Sequence, residues 1–219
     1  MLKPRRYKRV TPVSAAAANG SGVFNGTTAY LTASHPDMAG TWTVEFFWYP
    51  TTITTQQTII SFNGGLSSGI NVWCNTSSQL VVDNGLVGQP AFTGSTFTTN
   101  TWKHVAIVRN GTTTTGYING VSVGSNTFTP GTINAVSVGR FNSNPTFFYN
   151  SGNLSNVRTV VGTAVYTSNF TPPTAPLTAI TNTSLLLLMN ATPFVDTSVN
   201  AFAITNTGPV TYSSSVSPF

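Results

Sequence analysis

The strongest constraint on this chain is a series of short segments rich in valine, isoleucine, phenylalanine, tyrosine and tryptophan, each bounded by glycine, asparagine, proline or serine. None of them has the length or the period of an amphipathic helix. In residues 43–49, alternation places Val44, Phe46 and Trp48 on one face of a strand, and the other face is also largely apolar. Short strands separated by turn residues predict an all-β sandwich or barrel.

Three local features refine this prediction. Asn119 and Gly120 supply the two positive-φ residues of a type I′ hairpin turn, which fixes the register of the flanking strands. Residues 185–189 form the longest aliphatic run, much shorter than the roughly 20 residues that cross a bilayer, and predict a strand buried on both faces. The prolines of residues 171–176 predict an extended surface connection. The full set of predicted strands after the opening segment is residues 43–49, 58–62, 70–74, 80–83, 102–109, 115–118, 121–124, 136–140, 154–161, 184–189, 202–205 and 210–213.

The composition agrees with strands and turns. Charged residues make up 6% of the chain, against about 25% in typical soluble domains. Serine, threonine and asparagine disfavour helices because their side chains compete for backbone hydrogen bonds, and β-branched residues fit a pleated surface. A chain of 219 residues can bury a core as one domain, and the single Cys74 cannot form an internal disulfide.

The net charge of +5 is concentrated at one end of the chain. Residues 1–9 hold five of the nine basic residues, whereas the remaining four are balanced in number by the four carboxylates. We therefore expect an extended basic arm over residues 1–21 and a formally neutral sandwich over residues 22–219. The basic start is not followed by a long apolar stretch, so we expect no secretory signal peptide, and no membrane contact is expected.

Several motifs resemble laminin-G/concanavalin A-like jelly-roll domains. Residues 102–111 (WKHVAIVRNG) and 117–120 (YING) resemble the central hairpin of that family, residues 23–31 its opening strand and residues 40–48 the strand that follows. Residues 152–158, 162–167, 170–177, 182–187, 196–198 and 217–219 are similar to the form of this fold in structural proteins of tailed bacteriophages. The resemblance covers about residues 22–219 and implies a two-sheet antiparallel jelly-roll sandwich.

The resemblance implies a place on a virion but leaves two functions open. A sandwich that follows a short arm favours a capsid decoration, or cement, protein bound to the outside of the shell. Its expected partner is the major capsid protein, and a closed homo-oligomer, with a trimer favoured, would brace neighbouring shell subunits. The alternative is a carbohydrate-binding module of a tail fibre or spike that recognises host glycans. Function depends on the site and cannot be taken from the fold.

The residues suited to chemistry do not form a catalytic pattern. None of the four carboxylates has the paired spacing that sandwich glycosidases use, and Glu45, within a strand, is expected to be structural or interfacial. His104 is expected to pack and hydrogen-bond, and His35 lies in a proline-containing loop. Two distant histidines and one cysteine give no zinc spacing, and Asp37 with Asp83 is a weak basis for calcium. We expect no enzyme activity, cofactor or metal, and an enzyme is the third-ranked hypothesis.

Two sets of residues are candidates for binding. The basic arm could remain solvated, bind nucleic acid or pair with carboxylates on an acidic shell, and the last is favoured because arginine and tyrosine are frequent at binding hot spots. Nucleic acid is disfavoured because the neutral body offers no basic groove. The second set is aromatic and either packs onto the sandwich or contacts a partner or glycan. The arm residues are Lys3, Arg5, Arg6, Tyr7, Lys8 and Arg9, and the aromatic residues are Phe147, Phe148 and Tyr149.

Overall fold

A computed structural model of the chain describes residues 19–63, 69–85, 91–141 and 148–219. These residues form strands and turns without a helix, as the composition predicts. Across these ranges, no helix is long and apolar enough to cross a membrane. The strands are β1 (Ser21–Asn25), β2 (Tyr30–Ser34), β3 (Trp42–Pro50), β4 (Gln57–Phe62), β5 (Ile70–Cys74), β6 (Leu80–Asp83), β7 (Lys103–Asn110), β8 (Thr113–Ile118), β9 (Val121–Thr127), β10 (Ala135–Val138), β11 (Ser151–Val161), β12 (Thr183–Leu187), β13 (Thr205–Thr207) and β14 (Thr211–Ser213).

The strands form two antiparallel sheets, which confirms the predicted all-β sandwich. The eight-stranded sheet has the order β14-β1-β11-β3-β7-β8-β9, with β12 also paired to β11, and the six-stranded sheet has the order β13-β2-β10-β4-β5-β6. The long strand β11 pairs with β1 through its first half and with β12 through its second half. The pairing with β3 shifts register between Ser155 and Arg158, where Asn156 has a φ of 54°.

The core lies between the two sheets and follows the predicted alternation. Trp42, Phe46 and Trp48 of β3 are fully buried in it. Strand β12 is buried on both faces, as its aliphatic run predicts. Burying large apolar side chains is the main favourable contribution to such a fold, at about 1.5–3 kcal/mol for each of the larger residues. The fold is therefore stabilised mainly by this apolar core, and the small number of charged residues does not weaken it.

The predicted hairpin turn between β8 and β9 is confirmed. Asn119 and Gly120 both have positive φ, 49° and 77°, as a type I′ turn requires. Gly120 has a second constraint, because a Cβ at this position would lie 1.8 Å from the carbonyl oxygen of Phe170. The turn therefore also allows the close approach of the chain that follows β11.

Two strand predictions are wrong, and local side-chain hydrogen bonds explain both. Residues 23–31 are two strands in different sheets, because Asn25 Oδ1 accepts the backbone N–H groups of residues 27, 28 and 29 and turns the chain. Residues 202–205 are largely not a strand, since the Phe202 N–H donates to the Asp196 carboxylate and β13 begins at Thr205. The other predicted strands are present, with ends that differ by at most three residues.

His35 is buried after β2 and connects the two sheets. Its Nε2 lies 2.8 Å from the Thr159 hydroxyl of β11, and its Nδ1 lies 2.8 Å from the Pro36 carbonyl oxygen. Because a carbonyl only accepts, Nδ1 donates and the neutral ring accepts from Thr159 through Nε2. Burial lowers the pKa of His35 from 6.5 to about 4. The folded protein therefore disfavours protonation of this ring.

The depressed pKa of His35 predicts a loss of stability in mild acid. The unfolded imidazole takes up a proton near pH 6.5 but the folded one only near pH 4. The free energy of unfolding should therefore fall by about 3 kcal/mol as the pH drops through this window. Urea denaturation at several pH values measures this change. His35→Gln should flatten the curve between these pH values, and an identical pH dependence in both proteins would contradict the assignment.

Candidate functional site

Four partly exposed aromatic rings and one arginine lie on the outer face of the six-stranded sheet, and we call this group the aromatic surface. It consists of Tyr30 of β2, Trp73 of β5, Phe148 and Tyr149 before β11, and Arg140 after β10. Tyr30 and Trp73 alternate with residues of the core, so their side chains face away from it. The group therefore combines residues that are far apart in sequence.

The members of the aromatic surface form two contacting pairs of rings and one cation. The rings of Trp73 and Phe148 are stacked with centroids 6.4 Å apart. Those of Tyr149 and Tyr30 lie 6.3 Å apart, and the guanidinium carbon of Arg140 lies 3.7 Å from the centre of the Tyr30 ring. Phe148 is 37% exposed and the other four are half-buried. The surface thus presents apolar rings to solvent with a positive charge at the Tyr30 end.

Hydrogen bonds fix the orientation of Trp73. Its indole Nε1 donates to Asp83 Oδ2 at 2.7 Å, and Asn71 donates to the other oxygen of the same carboxylate at 2.9 Å. Asp83 also accepts the N–H of Gly85. A ring held in this way loses little conformational entropy when a ligand binds to it.

The segment that carries Phe148 is anchored at both ends. The Phe148 carbonyl accepts the Thr58 N–H at 2.8 Å, and the Asn150 N–H donates to the Gly139 carbonyl at 2.8 Å. Asn150 also accepts from the buried indole of Trp48. Phe148 has a φ of 64°, which is rare for a bulky residue and occurs preferentially at binding sites.

A row of polar side chains crosses the six-stranded sheet. It includes Thr32 and Asn71, which lie on the same strands as Tyr30 and Trp73, two positions along the chain from each. The strand register aligns one hydroxyl, amide or carboxylate from each strand. In the described part of the chain, the buried Ser137 hydroxyl has no hydrogen-bond partner. Ser61, Asn71, Ser137 and Asp83 are buried, and only Thr32 and Thr205 at the end of the row reach solvent. The row is Thr205, Thr32, Ser137, Ser61, Asn71 and Asp83.

The structure brings together some of the predicted contact residues. Phe148 and Tyr149 lie in the aromatic surface, whereas Phe147 and the arm residues Lys3, Arg5, Arg6, Tyr7, Lys8 and Arg9 lie outside the described residues. Tyr30, Trp73 and Arg140 were not among the contact residues predicted from the sequence. Alternation within residues 70–74 could have identified Trp73, because it has the opposite parity to the buried Val72 and Cys74.

The outer face of the eight-stranded sheet is covered by residues 162–182, the connection between β11 and β12, which we call the strap. Tyr166 and Phe170 of the strap stack with centroids 3.6 Å apart and pack on Val108 and Tyr117. The Thr43 hydroxyl donates to the Thr163 carbonyl and accepts the Val165 N–H. The predicted extended connection over residues 171–176 is confirmed as part of this strap.

Glu45 is the centre of a buried polar cluster beneath the strap. Its Oε1 accepts from Arg158 at 2.6 and 2.9 Å, and its Oε2 accepts from the Tyr166 hydroxyl at 2.8 Å and lies 3.1 Å from His104 Nε2. Burial alone would raise the pKa of Glu45, but the hydrogen bonds and charges of His104 and Arg158 outweigh it and lower the pKa below its usual value. Arg158 also donates to the Thr178 carbonyl. The cluster therefore ties two strap residues to the sheet.

The other three carboxylates also accept hydrogen bonds within the fold. Asp37 accepts the N–H of Met38 and Ile133, and Asp196 accepts those of residues 186, 198 and 202. Asp83 holds Trp73, as described above. Across the described ranges, no three histidine, cysteine, aspartate or glutamate residues are grouped to hold a metal ion.

Comparison with known proteins assigns the fold to a family. The model of the concanavalin A-like lectin/glucanases superfamily matches residues 25–178, which is more than half of the chain. This protein belongs to the concanavalin A-like superfamily. The predicted laminin-G/concanavalin A-like jelly roll is thereby confirmed. No curated protein matches the chain in sequence.

Three solved structures share this architecture at low identity. A Bacteroides ovatus protein described as carbohydrate binding has a TM-score of 0.71 and 16% identity over 89% of this chain, which spans 59% of that protein. The heptameric SAP-like pentraxin of Limulus polyphemus has a TM-score of 0.61 and 16% identity, covering 86% of this chain and 94% of its own. The CBM40 of a Ruminococcus gnavus sialidase, bound to α2,3-sialyllactose, has a TM-score of 0.51 and 10% identity, covering 67% and 91%. At these identities the likeness extends to the fold alone.

The cluster beneath the strap predicts a large stability change on substitution of Glu45. Glu45→Gln keeps the shape of the side chain but leaves the buried Arg158 guanidinium without its anion. The free energy of unfolding should fall by about 3 kcal/mol, as measured by urea denaturation. Lys103→Gln, on the neighbouring strand, is the control and should change it by less than about 0.5 kcal/mol. Equal stabilities of the Glu45 variant and the wild type would show that the cluster does not hold the strap.

Proposed function

We propose that this protein is a non-catalytic carbohydrate-binding module that binds its ligand on the aromatic surface. The observation that carries the proposal is the stacked and partly exposed pair Trp73 and Phe148, with the Tyr30 and Tyr149 pair beside it on the same surface. A pyranose ring has an apolar C–H face that packs on aromatic rings and a rim of hydroxyls that form hydrogen bonds. The partly exposed rings of the aromatic surface match the apolar face of a sugar.

Two further observations support binding without catalysis. Each of the four carboxylates accepts hydrogen bonds from structural partners, and Glu45 is enclosed beneath the strap on the other sheet. A glycosidase needs two carboxyl groups about 5–10 Å apart on either side of the scissile bond. The name of the superfamily includes lectins, and the Bacteroides ovatus and Ruminococcus gnavus structures are described by carbohydrate binding, which supports the proposal at the level of the fold.

Substitutions on the aromatic surface test this function. Trp73→Ala and Phe148→Ala should each weaken binding of any glycan found on an array by about tenfold or more, because an aromatic contact contributes about 0.5–1.5 kcal/mol beyond the area it buries. Dissociation constants by calorimetry measure the loss. Trp102→Ala is the matched control, because this half-buried tryptophan packs on Tyr49 of the eight-stranded sheet.

Two outcomes would contradict the proposal. One is the absence of saturable binding to any glycan on the array. The other is wild-type affinity in both surface variants together with a loss of affinity in Trp102→Ala, which would place the ligand on the other sheet. Circular dichroism spectra of the variants establish that each remains folded.

We propose a second function for the basic arm, namely attachment of the protein to the outside of a virion shell as a decoration subunit. The supporting observation is that residues 1–9 carry five of the nine basic residues of the chain. A closed oligomer, such as a trimer, would present several arms to acidic patches of a major capsid protein and raise their effective concentration. This attachment and glycan binding use different parts of the chain and are compatible.

Removal of the arm tests the second function. Deletion of residues 1–10 should abolish incorporation into particles while the sandwich remains folded, because the positive charges that pair with the shell are lost. Quantitative mass spectrometry of purified particles measures the copy number. A full-length control with the five basic residues changed to glutamine should behave like the deletion. Wild-type occupancy of the truncated protein would rule out arm-mediated attachment.

A further inference from the structure

Arg140 has a positive charge without a counter-ion among the residues that the structure describes. Its guanidinium stacks on Tyr30 and forms no hydrogen bond or ion pair with the residues that the structure describes. Its Nε is buried without a hydrogen-bond partner among them. The stacking of a cation on an aromatic ring is favourable, but the ring is not an in-plane acceptor for the Nε–H donor.

The positions of the carboxylates explain why this charge is not neutralised. The chain has four acidic side chains, and the structure describes all of them. Each accepts hydrogen bonds elsewhere: Asp37 from backbone, Glu45 beneath the strap, Asp83 from Trp73, and Asp196 from backbone. The remaining carboxylate is the C-terminal one, on Phe219, whose ring packs on Phe47 of the eight-stranded sheet. The equal numbers of acidic and basic groups in the sandwich therefore do not neutralise Arg140.

The other two arginines of the sandwich donate hydrogen bonds to described residues, as Arg140 does not, although Arg109 also has no carboxylate partner. Arg158 forms a two-point contact with Glu45. Arg109 donates to the carbonyl oxygens of Phe128 and Thr112. Arg140 is the arginine of this part of the chain that adjoins a surface suited to a ligand, and its planar fork of donors matches the oxygens of a carboxylate or sulfate.

We propose that the aromatic surface binds an acidic glycan, in which a sugar bearing a carboxylate or sulfate places its anion on Arg140. This inference rests on the proposed carbohydrate-binding function and specifies its ligand class. The acidic sugar lies at the Tyr30 end, with its ring against Tyr149, and a neighbouring sugar stacks on Trp73 and Phe148. Because the two ring pairs are distinct, the neutral and the acidic contacts make separable contributions to affinity.

Matched glycan pairs that differ in charge test the inference. The probes are sialyllactose with lactose, oligogalacturonate with its carboxyl-reduced form, and a sulfated chondroitin oligosaccharide with its desulfated form. The acidic member of at least one pair should bind about tenfold more tightly, as expected for a charge-assisted contact. This preference should decrease between 50 and 500 mM salt, roughly as screening of a partly exposed ion pair requires. The carboxylate and sulfate pairs identify which anion is bound.

Substitutions of Arg140 separate the two contributions. Arg140→Gln should remove the preference for the acidic member, so that the two members of each pair bind with affinities within about twofold of each other, a difference of about 0.4 kcal/mol. Arg140→Lys should retain less of the preference than wild type, because an ammonium lacks the planar fork. Lys103→Gln makes the same change of net charge on the other sheet and should retain the full preference.

The outcomes distinguish this inference from the function on which it rests. Equal affinities within all three pairs, or a preference that survives Arg140→Gln, would overturn the acidic ligand while leaving carbohydrate binding intact. Equal losses in Arg140→Gln and Lys103→Gln would assign the preference to net charge and also overturn it. Unchanged binding of both members of a pair in Trp73→Ala would overturn the aromatic surface as the site.

Discussion

The arrangement of the two outer faces depends on the hydrogen bonds that the buried carboxylate of Glu45 accepts. It lies on β3 and accepts hydrogen bonds from Arg158 of the adjacent strand and from Tyr166 of the strap. An ionised group in this position requires partners, because an unpaired buried charge is strongly destabilising. Satisfying Glu45 therefore holds the strap against the eight-stranded sheet. The central part of that face is covered, and the six-stranded sheet keeps a surface with partly exposed rings.

The aromatic surface illustrates how a sandwich fold brings residues that are distant in sequence onto one face. Strand pairing brings Tyr30 and Trp73 onto one face, and the anchored segment before β11 adds Phe148 and Tyr149 to it. The Asp83 carboxylate orients the indole of Trp73 and is thereby used within the protein. Arg140 keeps its charge available for a ligand for the same reason, since the few carboxylates are all engaged.

Alternation and turn chemistry predicted most of the fold, because burial of one strand face and positive φ at Asn119 and Gly120 are local properties of the sequence. The failures at residues 23–31 and 202–205 arise where a side chain of Asn25 or Asp196 captures backbone N–H groups. The candidate site was predicted in part, through Phe148 and Tyr149. Arg140 was missed because the number of carboxylates in the sandwich equals the number of its basic residues. Equal numbers do not show which acidic and basic side chains lie close together, because strand pairing decides that.

The location of the ligand is tested most directly by the indole N–H signals of the four tryptophans in a nuclear magnetic resonance titration. The protein is titrated with the oligosaccharide that binds most tightly in the array. The account predicts that the Trp73 signal shifts with the saturation curve of binding, while those of Trp42, Trp48 and Trp102 remain in place. A saturable shift of Trp102 with an unchanged Trp73 signal would contradict it.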